Sequence, residues 1–75
     1  MKLRFQGKVY KVIEFIQPSD ISIIKEQARV VNSKGIEFTF IHSITGYYLY
    51  DSKGNRVAEA LSIKWSDNND RFNTI

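Results

Sequence analysis

The chain has 75 residues, enough for one domain and too few for two. Eleven Lys and Arg against eight Asp and Glu give a net charge of +3, which is only weakly basic. With no cysteine and a single histidine, the chain cannot form a disulfide or a thiolate metal site, and a structural zinc site is excluded in practice. We expect no metal and no cofactor.

No part of the sequence indicates export or a membrane. Residues 1–8 lack the apolar stretch of a signal peptide, and no apolar run approaches the ~20 residues of a membrane-spanning helix. The expected location is the cytoplasm, which the absence of cysteine fits. Because a domain of this size buries only about 60% of its unfolded surface, we expect a homodimer to add burial.

The first predicted element is a hairpin of Lys2–Phe5 and Lys8–Ile16, with a turn at Gln6-Gly7. In the second arm both faces are largely apolar, which predicts a strand buried on two sides, as in a small closed barrel. One face has Val9, Ile13 and Phe15, and the other has Tyr10, Val12 and Ile16. Pro18 ends this strand because it cannot donate to a ladder.

The segment Ile21–Val31 has two interpretations. As a helix it would place Ile21, Ile24, Ala28 and Val31 on one face. Its many β-branched residues instead favour a strand, with Ile24, Ala28 and Val30 on one face and a bulge near Ile23-Ile24. Both interpretations stay open from the sequence alone.

A second hairpin is centred on Asn32–Gly35, where Gly35 suits a left-handed turn position. In the outgoing strand Ile36, Phe38 and Phe40 alternate with polar residues, the pattern of a half-buried strand. A third hairpin follows, with arms at residues 47–50 and 56–63 around a similar turn at 51–54. Residues 1–65 are thus predicted to form a single small β-rich domain, and residues 66–75 a polar, flexible tail.

Two of these segments resemble a known family. The first is Gly7-Lys-Val-Tyr-Lys-Val-Ile-Glu14, and the second is Ala28-Arg-Val-Val-Asn-Ser-Lys-Gly-Ile-Glu-Phe38. Together they resemble small SH3-like barrel proteins of phages and Gram-positive bacteria, over about half of the chain. The resemblance implies a small barrel used for binding, and it carries over no functional residue.

The expected fold is therefore mainly β: a small antiparallel SH3-like barrel or curled sheet of five to six strands built from hairpins. The alternative is an α+β fold of order ββαβββ, with one helix at about residues 20–32.

Catalytic chemistry is not indicated. His42 has no nucleophile and no orienting carboxylate at a recognisable spacing. The carboxylates are scattered singly, and the four glycines are isolated, so no phosphate-cradling loop can form. We expect a protein that is not an enzyme.

The tyrosines of the third hairpin suggest binding. Alternation places Tyr47 with Leu49 on one face and Tyr48 with Tyr50 on the other. If the second pair is exposed, it lies beside two cations, a composition typical of protein-binding patches. The predicted contact residues are Tyr48, Tyr50, Lys53 and Arg56. The competing interpretation is that these tyrosines pack a second barrel face or a dimer seam.

The first hairpin holds the whole excess of positive charge, and a two-residue turn would set Lys2 opposite Lys11 with Arg4 beside them. A nucleic-acid-binding surface is the alternative function, formed by Lys2, Arg4, Lys8, Tyr10 and Lys11. The other interpretation is a solvated edge that blocks unwanted strand pairing.

The functional hypothesis is a non-enzymatic protein-binding module. Ile, Asn and Lys make up 22 of the 75 residues, which suggests AT-rich coding of the kind found in phages and mobile elements. The concrete version is thus an inhibitor or regulator, encoded by a phage or mobile element, that occupies the surface of a host protein. Phe72 and Ile75 in the tail are either a docking motif or part of a disordered end.

Overall fold

The computed structural model describes residues 1–18 and 23–66, and these residues form seven β-strands and no helix. The strands are β1 Lys2–Phe5, β2 Lys8–Ile16, β3 Ile24–Val31, β4 Glu37–Ser43, β5 Gly46–Tyr50, β6 Arg56–Ala60 and β7 Lys64–Ser66. All belong to one antiparallel sheet of order β6-β5-β4-β3-β2-β1-β7. The expectation of a mainly β fold is confirmed, with one more strand than the largest number expected.

The curl of the sheet follows from its strand order. β6 and β7 lie at opposite edges, yet only residues 61–63 separate them along the chain. A link of this length spans at most about 14 Å from Ala60 to Lys64, so the two edges approach each other. β6 and β7 run in the same direction. The segment 56–66 therefore pairs first with β5, as β6, and then with β1, as β7. This change of partner turns the sheet into a half-barrel.

A side chain of the β1–β2 turn makes a hydrogen bond to the edge strand β6. The Gln6 side-chain amide donates to the backbone carbonyl of Glu59 at 2.6 Å. Gln6 lies in the β1–β2 turn with a φ of 52°, beside Gly7 with a φ of 79°. Positive φ at both positions is the type I′ geometry, which matches the twist of a two-residue hairpin. The turn therefore both reverses the chain and ties β1 to β6.

The core fills the concave side of the curled sheet. Its fully buried side chains come from β1, β3, β4 and β5, with Tyr10 added from β2. Phe40 lies at the centre, with its ring centroid 6.3 Å from that of Phe5 and 5.3 Å from that of Trp65. The buried residues are Leu3, Phe5, Tyr10, Ala28, Val30, Phe40 and Leu49.

The prediction that β2 is buried on both faces is wrong. A register shift between Val12 and Glu14 places Phe15 opposite Ala28, on the concave side, where its ring lies 5.6 Å from that of Trp65. Phe15 is still 52% exposed, and Val9 and Ile13 are exposed as well. The bulge at Ile13 reverses the alternation along the strand, so simple period-two counting misplaced its second half.

The ambiguous segment is a strand over its described part, Ile24–Val31, and the predicted helix is absent from residues 23–32. The expected bulge is present, because the register with β4 shifts between Ile24 and Glu26. The shift comes just after the expected Ile23-Ile24 position, and the prediction that Ile24 shares a face with Ala28 and Val30 is therefore wrong. Ala28 and Val30 face the core, whereas Ile24 lies opposite Ser43 on the outer side.

Two predictions fall partly or wholly outside the described residues. Of the tail at 66–75, only Ser66 is described, and it ends β7. Phe72 and Ile75 lie beyond the described range. No helix in the described ranges has the length and apolar character needed to cross a membrane.

Candidate binding surfaces

The third hairpin separates its tyrosines between the two sides of the sheet, as the alternation predicted. Leu49 is buried in the core, and Tyr47 packs against it from the same side. Tyr48 and Tyr50 are half-buried on the outer side, where Tyr50 lies opposite Arg56 on β6 and Tyr48 lies opposite Ile41 on β4. The aromatic pair proposed for partner contact is therefore on the surface.

The Tyr48 ring is held from two directions. The Arg56 guanidinium lies over the ring face, with its carbon 4.8 Å from the ring centroid, within the range of a cation–π contact. At the far end the phenol oxygen shares a 2.7 Å hydrogen bond with the Thr45 hydroxyl, which in turn bonds the Ser43 hydroxyl at 2.9 Å. These contacts fix the ring orientation before any partner binds.

Tyr48, Tyr50 and Arg56 line one side of a shallow groove of about 300 Å³ on the outer surface. Its opposite wall is apolar and comes from the start of β3 and from β4. We call this site the tyrosine groove, and its lining residues are Ile23, Ile24, Ile41, Ser43, Thr45, Tyr48, Tyr50 and Arg56.

Three of the four predicted contact residues are thus brought together, and the fourth is not. Lys53 is exposed in the turn between β5 and β6 and does not line the groove. Sequence reasoning also missed the apolar wall of the groove, formed by Ile23, Ile24 and Ile41, which we call the isoleucine wall. Ile24 reaches the outer side only because of the β3 bulge, and no local signal marks the side to which such a bulge turns a residue.

A second surface is formed by the outer side of β7, β1 and β2. Lys2 lies directly opposite Lys11, as the two-residue turn predicted, and Arg4 lies directly opposite Lys64 on the other neighbouring strand. We call these four residues the basic face. Lys64 was missed because β7 was not predicted, although Ile63 and Trp65 alternate around it and both pack on the core.

The other two residues proposed for nucleic-acid binding lie elsewhere. Tyr10 points into the core, is 7% exposed and makes a T-shaped contact with Phe38 at 5.8 Å. Burial raises the pKa of its phenol above the ordinary value. Lys8 faces Phe5 across the first hairpin and lines a separate groove at the end of the barrel, together with Lys34 and Phe38. Tyr10 borders the same groove, but its ring is too deeply buried to stack on a base.

One arginine of β3 binds two glutamates on the outer side of the sheet, one from β2 and one from β4. Arg29 donates to both carboxylate oxygens of Glu37, at 2.9 and 3.0 Å, and also to Glu14. The hydrogen bond from Arg29 holds the pKa of Glu37 below its usual value. This outer surface therefore holds one cation between two carboxylates and carries an excess of negative charge, which distinguishes it from the basic face.

His42 lies on the concave side at the end of β4. Its Nδ1 is 3.2 Å from the Glu26 carboxylate, and its ring stacks on Tyr47 with a centroid distance of 4.2 Å. Within residues 1–18 and 23–66, no three His, Asp or Glu side chains are grouped so that they could hold a metal ion.

Comparisons with family models, with characterised proteins and with solved structures returned no match for this chain. The resemblance to SH3-like barrels stays a prediction.

Proposed function

We propose that this protein is a non-enzymatic protein-binding module whose contact surface is the tyrosine groove. The observation that carries the proposal is the Tyr48 ring, which is fixed between Arg56 and Thr45 at the wall of an apolar groove. Tyr and Arg dominate the binding energy of many protein interfaces, and a side chain that is already ordered loses less entropy on binding.

The groove also defines the chemistry of its partner. Ile24, Ile41 and the Tyr50 ring offer an apolar surface for one aliphatic or aromatic side chain. Arg56 makes none of the ion pairs found among the described residues, so its guanidinium is available to a carboxylate. The preferred partner presents an apolar side chain with an acidic residue next to it.

The finer version, an inhibitor or regulator that a phage or mobile element encodes against a host protein, is supported only by the composition of the chain. A homodimer built on the same groove would make the partner a second copy of this chain. The two versions differ in what they bind, so one set of variants tests both.

The experiment immobilises the full chain and measures which protein it retains from a bacterial lysate. It compares wild type with Tyr50→Ser, Arg56→Glu and Leu61→Ser. Leu61 is 95% exposed and lies outside the groove, so Leu61→Ser is the control for removal of exposed apolar surface. Circular dichroism shows that each variant is folded.

We expect one dominant partner for wild type and for Leu61→Ser, and its loss for both groove variants. Retention that is equal in all four proteins would overturn the proposal, as would the absence of retention in all four together with a monomer mass for wild type in light scattering. Light scattering on the same proteins tests the homodimer version, which requires a dimer mass for wild type and a monomer mass for the groove variants.

A further inference from the structure

The basic face brings four cations together in two pairs of directly opposite like charges. Lys2 lies opposite Lys11, and Arg4 lies opposite Lys64, on three adjacent strands. Like charges placed directly opposite each other destabilise a sheet. These pairs therefore weaken the fold slightly, and none of the four residues makes an ion pair found among the described residues.

Arg29 shows the alternative arrangement on the same sheet. It lies two strands from β1, and two carboxylates bind it. The carboxylates of β2 and β4, Glu14 and Glu37, are both used in that network. They are thus held by Arg29, and the charge of the basic face is left for a ligand from outside the described residues.

We propose that the basic face binds the phosphate backbone of nucleic acid, without reading base sequence, through Lys2, Arg4, Lys11 and Lys64. A cluster of Lys and Arg on one face of a domain with a pI of about 9.3 is the electrostatic footprint of such binding. The outward positions of β1 and β7 are the cations and Ser66, with no aromatic side chain for base stacking and no apolar anchor. Contacts to phosphates supply affinity without sequence information.

This composition favours nucleic acid over the other polyanions. An acidic protein segment is bound tightly where apolar or aromatic anchors accompany the charges, and a membrane surface is bound where apolar side chains can insert. Among the β2 residues that pair with β1, Val9 is the one exposed apolar side chain on the outer side, and a single valine beside four cations is a small anchor for either of these partners. The tyrosine groove lies on other strands, so this inference is independent of the proposed function.

The test measures binding of the full chain to a fluorescein-labelled 20-nucleotide DNA, as a single strand and as a duplex, by fluorescence anisotropy. Four phosphate contacts predict a slope of log K against log salt of about −2.8 for the single strand and about −3.6 for the duplex. Between 50 and 200 mM salt, affinity should therefore fall by about 50- to 150-fold.

Two double variants distinguish the effect of the basic face from the effect of net charge, because each removes two cations. Arg4→Gln/Lys64→Gln removes two cations of the basic face, and Lys25→Gln/Lys53→Gln removes two exposed cations elsewhere. We expect the first variant to lose at least about tenfold in affinity and to reduce the slope by about 2. The second variant should stay within about threefold of wild type.

Three results would overturn the inference: no binding at 50 mM salt, an equal loss for both double variants, or a slope near zero. A poly-glutamate peptide and vesicles containing anionic lipid are measured in parallel. Binding of either one as tight as that of DNA would be a fourth such result, because the face would then bind polyanions in general and nucleic acid would not be its specific ligand.

Discussion

Asn32 and Asp51 occupy the same position in two turns that share their hydrogen bonds. The side-chain oxygen of each accepts two backbone N–H groups, from the residues two and four positions further along, and all four distances are 2.9 Å. In each turn the glycine N–H donates to the carbonyl of the first residue at 3.0 Å. An amide and a carboxylate thus build the same turn, because each offers one acceptor oxygen at the same place.

The glycines of these turns allow a clean test of backbone conformation. Gly35 and Gly54 have φ of 82° and 86°, and a Cβ built on either would meet no atom within 4 Å. Gly35→Ala and Gly54→Ala should therefore each cost about 1–2 kcal/mol in the free energy of unfolding, through the left-handed conformation alone. Denaturant unfolding measures this cost. Ser33→Ala and Ser52→Ala, in the same exposed turns, should stay within about 0.5 kcal/mol, and equal effects in both series would contradict the prediction.

Asp51 should make the stability of its turn depend on pH, whereas Asn32 should not, so exchanging these two residue types should exchange the pH dependence of the two turns. Hydrogen bonds from the backbone N–H groups of Asn55 and Lys53 hold the pKa of Asp51 below its usual value. The folded-state pKa is thus below that of the unfolded chain. The stabilisation is therefore complete above the unfolded pKa of about 3.9 and is lost as the pH falls through the folded pKa.

Thermal unfolding of wild type and Asp51→Asn should accordingly differ at pH 7, with wild type more stable, and the difference should shrink in acid. Asn32→Asp is the matched reverse variant and should gain a dependence of the same sign. A constant difference in Tm between wild type and Asp51→Asn from pH 7 to pH 2 would show that the carboxylate charge plays no part in the turn.

The hydrogen bond from Gln6 in the β1–β2 turn to the edge strand β6 can be tested without changing the shape of the side chain. Gln6→Glu replaces the donor with a carboxylate facing the Glu59 carbonyl, and it should cost about 0.5–1.5 kcal/mol at neutral pH. Below pH ~4 the protonated acid can donate again, so the loss should be recovered. Gln17→Glu, at an exposed position with no side-chain bond in the described residues, is the control. Unfolding at pH 7 and pH 3 measures both, and identical behaviour of the two variants would argue against closure by Gln6.

Truncation of a large side chain at the centre of the core should strongly destabilise the fold. Phe40 has no exposed surface and contacts Phe5, Tyr47 and Trp65. Phe40→Ala should cost about 3–5 kcal/mol, much of the total stability of roughly 4–11 kcal/mol expected for a chain of this length. Phe15→Ala removes the same ring from a half-exposed position and should cost clearly less. Far-UV circular dichroism with urea unfolding distinguishes the two, and equal costs would contradict the assignment of the core.

Much of the candidate binding surface could be predicted wherever strands alternate without interruption. The separation of Tyr47 and Leu49 from Tyr48 and Tyr50 followed from a side-chain period of two. The pairing of Lys2 with Lys11 followed from a two-residue turn. Where a bulge intervenes, the same counting failed, as it did for Phe15 and Ile24. A bulge depends on how neighbouring strands twist against each other, and that information is not local to one strand.

The sequence by itself determined five of the seven strands, the hairpin turns and the sides of the uninterrupted strands, because these depend on residues near one another in the chain; β3 stayed open between strand and helix, and β7 was not predicted. The tertiary structure alone decided which residues from distant strands meet. It placed Lys64 beside Arg4, set the isoleucine wall against Tyr48 and buried Tyr10. The position of Lys64 requires the sheet to curl until residues 56–66 exchange β5 for β1, and the isoleucine wall requires the β3 bulge. Both depend on how distant strands pack and twist against each other, which no local stretch of sequence determines.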